Sequence, residues 1–93
     1  MKYVVFYESA DDVAEKAPAH FAAHCARWAE YAERGELELI GTFADPQKDG
    51  TMAVFTTRSA AEEFVEGDPF VLHGVVRSWR ILEWNEALTR SEG

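Results

Sequence analysis

The chain has a single cysteine, Cys25, among its 93 residues, so no internal disulfide can staple the fold. It is also short of positive charge. Nine Lys and Arg stand against seventeen Asp and Glu, a formal net charge of −8. The basic residues are scattered and form no stripe. That argues against binding nucleic acid or an anionic membrane, because phosphate contacts need clustered cations. No stretch approaches the ~20 apolar residues of a membrane span. The opening run Met1–Glu8 is too short an apolar run for a signal peptide and lacks a small-residue cleavage site. A reducing, cytoplasmic setting is the expectation. No glycine-rich phosphate loop is present, and Ser9, Ser59, Ser78 and Ser91 fall at a loop, a cap, a strand and a tail without a nucleophile elbow. Hydrolysis through a serine is therefore a poor fit, and no cofactor is expected.

What is present is an ordinary globular composition, 47% hydrophobic, in a chain with room for one core. Lys2–Glu8 is rich in Val, Tyr and Phe and its apolar residues are consecutive, which predicts a strand covered on both faces. Asp12-Val-Ala-Glu15 matches a capping box for a short helical turn. Phe21, Cys25, Trp28 and Ala32 fall on one helical stripe within Pro18–Arg34, with Pro18 suited to the first turn and Gly35 to a left-handed stop. Glu36–Ala44 alternates as a strand, Asp49-Gly50 signals a hairpin, and Thr51–Thr57 returns as a second strand. Ser59-Ala-Ala-Glu62 opens another helix that Gly67 closes, and Asp68-Pro69 starts a short new one ending at Gly74. Val75–Asn85 is the last strand. Residues 1–86 thus form one domain, and 87–93 a polar tail.

The order β-α-β-β-α-β predicts an α+β, ferredoxin-like sandwich: an antiparallel sheet with two helices on one face. The other sheet face would be left bare and apolar, which is unusual on a monomer. The expected cover is a second copy of the chain, related by two-fold symmetry. The other reading is a monomer whose open face is screened by long polar side chains.

Two segments carry candidate chemistry. His24 lies ~60° from Phe21 around the helix, on the flank of the stripe, with Trp28 and Tyr31 on the same side. An imidazole there is partly desolvated with one nitrogen accessible, as a general base needs. Asp68 stands at the break between two helices, and a carboxylate there that accepts from one ring nitrogen would fix the tautomer and free the other. The same residues also read as an ordinary half-buried histidine and a plain helix cap. His20 and His24, at i and i+4, would need Asp68 or His73 as a third ligand to hold a metal, and no Glu lies between them as in metalloprotease helices. No metal is expected. His73 reads either as a cleft residue or as a surface histidine before Gly74. Trp28, Phe43, Phe70 and Trp79 read either as core or as an aromatic wall for a planar substrate. Arg27 is a candidate for offsetting charge on an anionic substrate, against a plainer reading as a surface residue.

Pro18-Ala19-His20, then His24 and Arg27 leading to Gly35, then Gly41, Asp68-Pro69-Phe70-Val71 and Gly74-Val75, resemble in order and spacing the YciI-like (YCII-related) family. The resemblance runs from Tyr3 to about Asn85. It implies a dimeric ferredoxin-like protein of the dimeric α+β barrel type with a His–Asp dyad, His24 and Asp68. Pro69 and Phe70 of the Asp-Pro-Phe motif would then flank substrate, with Arg27, Trp28, Phe43 and His73 as further candidates. One family activity is dehydrochlorination of a chlorinated hydroxyhydroquinone. The implied function is a cofactor-independent lyase or isomerase acting on a small cyclic or aromatic oxygenated metabolite. The alternatives are a non-catalytic dimeric module that binds a small ligand or assists another protein, and a cofactor-free oxygenase on the same plan.

Overall fold

Side-chain alternation along the first strand decides how the whole molecule is layered. In the computed structural model, which describes residues 1–90, that strand is β1 (Lys2–Ser9). It is followed by helix α1 (Val13–Glu33), β2 (Leu37–Thr42), the single helical turn α2 (Pro46–Asp49) and β3 (Thr51–Phe55). Helix α3 (Arg58–Gly67), the single turn α4 (Pro69–Leu72) and β4 (Val76–Trp84) complete the chain. The strands form one sheet in the order β2-β3-β1-β4, every neighbouring pair antiparallel. This is the ferredoxin-like arrangement. The two long-range crossovers leave the apolar strands β1 and β3 at the centre, where both edges are paired.

Val5 and Tyr7 of β1 sit opposite Ala53 and Thr51 of β3. With Phe55 and Leu37 they pack beneath Tyr31 of α1 and Ala60, Ala61, Phe64 and Val65 of α3. Tyr31 meets Phe55 and Phe64 edge-on, with ring centroids 6.3 and 5.2 Å apart. The opposite face carries Val4 and Phe6, paired with Leu82 and Arg80 of β4. Leu39, Leu82 and Trp84 are 67%, 44% and 52% exposed. Val4, Phe6, Met52, Leu82 and Trp84 line a groove of about 240 Å³ there.

Several local details differ from the expectations. The first helix is continuous from Val13, and Pro18 lies inside it. Proline removes one donor and crowds the carbonyl four residues back; here both Pro18 and Ala14 are exposed, so water can satisfy that carbonyl. The buried face of α1 is set by His24 and Tyr31, while Phe21 is 58% exposed and Ala32 is exposed. The stripe is rotated because the polar ends of both inward residues find acceptors, Asp68 for His24 and Glu63 for Tyr31, which hydropathy does not register. The hairpin signalled by Asp49-Gly50 forms, since β2 and β3 pair antiparallel up to Thr42 opposite Thr51, but its connection is the helical turn α2 in place of a tight two-residue turn, with N-cap Asp45 accepting from the Lys48 N–H. Thr57, and not Ser59, caps α3 by accepting from the Ala60 N–H at 3.1 Å. Gly67 is not left-handed; a Cβ there would collide with the Arg27 guanidinium. Residues 85–90 form no helix or strand, and residues 91–93 of the predicted tail lie outside the described residues. No helix among the described residues is long and apolar enough to cross a membrane.

Candidate active site

Proline disfavours helical geometry in the residue before it. Pro69 therefore holds Asp68 extended (φ −68°, ψ 123°), which ends α3 and restarts the chain as α4. The Asp68 side chain turns inward and is fully buried. Its Oδ1 accepts the Phe70 N–H at 3.0 Å and so caps α4. The same oxygen lies 2.8 Å from Nδ1 of His24, on the inward face of α1. Its Oδ2 accepts the Tyr7 hydroxyl of β1 at 2.7 Å. The break, the long helix and the central strand thus converge on one carboxylate. Oδ1 serves both the cap and the histidine, and neither oxygen lacks a donor. A buried polar group left without its partner costs about 1–3 kcal/mol, so the three donors are part of what makes this burial tolerable.

A carboxylate only accepts, so Nδ1 of His24 carries the proton in the neutral ring. Nε2 has no partner among the described residues and is not sealed from solvent. Phe70 lies flat against the imidazole, with centroids 3.9 Å apart and planes 4° apart, and Phe64 meets it edge-on at 6.4 Å. The ring is therefore clamped in orientation by packing as well as by its hydrogen bond. Burial, and then the charge of Asp68 and the hydrogen bond to it, hold the Tyr7 phenol protonated far above the ordinary tyrosine range.

His24 and Phe70 open on a cavity of about 90 Å³, whose other walls include Tyr7, Ser9, Ile40 and Thr51. That is roughly the volume of three water molecules. Among the described residues no Lys, Arg, Asp or Glu lines it. The other sequence candidates stand elsewhere. Arg27 does not reach the cavity: its guanidinium donates to the carbonyls of Phe64 (3.1 Å) and Glu63 (2.7 Å) at the end of α3. Trp28 packs against the core cluster. Phe43 is 38% exposed beyond β2, and Trp79 is 43% exposed on the edge strand. Pro69 shapes the turn without lining the cavity. His73 stacks face to face on His20, with centroids 4.1 Å apart. Among the described residues no group of three or more His, Cys, Asp or Glu stands together as a metal site. Tyr7, Ser9, Ile40 and Thr51 were missed in the sequence. Only Tyr7 carried a signal, since a buried tyrosine normally finds a partner for its hydroxyl.

The model of the YCII-related domain family matches residues 1–85. No curated protein sequence matches the chain. Among solved structures it is similar to 5-chloro-2-hydroxyhydroquinone dehydrochlorinase from Burkholderia phenoliruptrix, determined in complex with 2,5-dihydroxybenzoquinone. The two share 18% sequence identity with a TM-score of 0.74, and the match covers 94% of this chain and 96% of the other. At that identity the likeness is one of fold.

Proposed function

The chain belongs to the YCII-related family, and from that premise we propose that it is a cofactor-independent lyase or isomerase working by proton transfer on a small cyclic or aromatic oxygenated metabolite. The observation that carries the proposal is the 2.8 Å contact between His24 Nδ1 and the buried Asp68 carboxylate, beside a cavity that His24 lines. His24 Nε2 takes a proton from a C–H or hydroxyl of the substrate. Asp68 holds the ring in the required tautomer and stabilises the imidazolium. The proton then returns to a different substrate atom, which is isomerisation, or leaves with a departing anion, which is elimination. The fold neighbour's dehydrochlorinase activity supports the second outcome as a reaction class.

The site favours an uncharged reacting portion, because among the described residues no cationic side chain lines the cavity. At about 90 Å³ it is smaller than the roughly 150 Å³ cavities that hold benzene, so it takes the reacting edge of a ring and leaves the rest outside. The protein works as a homodimer through its open sheet face, a reading supported by exposed Leu39, Leu82 and Trp84. The test is turnover of a panel of halogenated and hydroxylated hydroquinones, followed by halide release or solvent proton exchange. His24→Ala is expected to abolish turnover with the fold retained. Full residual activity in that variant overturns the proposal.

A further inference from the structure

We infer that Tyr7 is a positioning residue for His24, acting through Asp68. This rests on the reading of His24 as a base. Asp68 has two oxygens and one of them, Oδ1, already serves His24 and the Phe70 N–H. If that carboxylate could pivot, the helix cap would survive with a different rotamer while His24 lost its acceptor. The Tyr7 hydroxyl, 2.7 Å from Oδ2, closes off that pivot. Tyr7 is itself only 7% exposed and sits in β1, paired on both sides by β3 and β4. It therefore anchors the carboxylate to a central strand held by hydrogen bonds on both edges. The chain Tyr7 O–H to Oδ2, and Oδ1 from Nδ1–H, allows only one imidazole tautomer, the one with an unprotonated Nε2. The same tyrosine forms part of the cavity wall, so it positions the base from the side on which substrate arrives.

The test reads the tautomer directly and needs no substrate. Long-range proton–nitrogen NMR of the neutral His24 ring in the wild-type protein is expected to show a protonated Nδ1 and a bare Nε2. Asp68→Asn is expected to scramble this pattern. Tyr7→Phe is expected to shift it part of the way toward a mixture, with the Phe70 amide signal little changed. A Tyr7→Phe spectrum with the wild-type tautomer, alongside an altered Asp68→Asn spectrum, overturns the inference and leaves the dyad standing. A wild-type ring already in mixed tautomers overturns the dyad reading itself. Should Tyr7→Phe fail to fold, the wild-type protein decides: a Tyr7 hydroxyl proton protected from solvent exchange supports the inference, and a freely exchanging one defeats it.

Discussion

At Asp68 stability and chemistry meet in one side chain. It caps α4, orients His24 and accepts from Tyr7 while fully buried. Asp68→Ala removes a cap, worth about 0.5–2 kcal/mol, and strands buried donors at about 1–3 kcal/mol. A loss of about 2–4 kcal/mol in urea unfolding is expected, larger than at most surface positions. Tyr7 sets a second prediction. Its proton is held more tightly in the folded state than in the unfolded chain, where tyrosine titrates near pH ~10. Below that pH both states keep the proton and the contribution is constant. Above it the unfolded chain binds fewer protons than the fold, so stability falls as pH rises. Unfolding midpoints at pH ~9 and ~11 are expected to differ less in Tyr7→Phe than in the wild type. Some slope should remain, because burial also raises Tyr31.

Among the elements, the single turn α2 does more than its length implies. Ser9 donates to the Pro46 carbonyl at 2.7 Å and Gln47 to the Ala10 carbonyl at 2.9 Å, tying α2 to the end of β1. Pro46 and Thr51 then help wall the cavity. The return into β3 runs through Gly50 at φ 73°, ψ −146°, where an added Cβ would strike the Tyr7 carbonyl oxygen. That backbone region is essentially reserved for glycine. Gly50→Ala is expected to lose about 2–4 kcal/mol from strain and overpacking together, measured by thermal unfolding. The His24 signals should shift as well, since the strand that is displaced carries Tyr7. The Asp-Gly pair was legible as a turn signal, but its type was not. A proline at the first position and an aspartate cap made a helical turn the better satisfied alternative.

For the whole molecule, the sheet separates a closed, helix-covered side from an open one. The bare face, with Leu39, Leu82 and Trp84 exposed, is the surface through which we propose the homodimer forms. Light scattering is then expected to give twice the 10.5 kDa chain mass. Leu82→Glu with Trp84→Glu should shift the protein to a single-chain mass, because burying carboxylates in an apolar contact is costly. A wild-type mass of one chain would refute this assembly. The site lies on the covered side, so the double variant should leave the His24–Asp68 contact in place, visible as an unchanged His24 ring spectrum.

The element order, and with it the ferredoxin-like plan, was readable because β-rich runs, the helical periodicity between them and the glycine stops at Gly35 and Gly74 are local signals. So was the restart at Asp68-Pro69, where backbone sterics act between neighbours in the chain. The phase of α1 was not readable: Phe21 looked inward by hydropathy, yet His24 and Tyr31 are buried because acceptors on distant elements receive them. Arg27 looked like a substrate contact for the same reason, since nothing local reveals that the carbonyls ending α3 will lie within its reach. The sequence by itself determined the order of the four strands and the two main helices, and the break at Asp68-Pro69. Only the tertiary structure decided that Tyr7, His24 and Asp68 share one carboxylate, because hydrogen bonds between residues 44 and 61 positions apart exist only once the crossovers have brought their elements together.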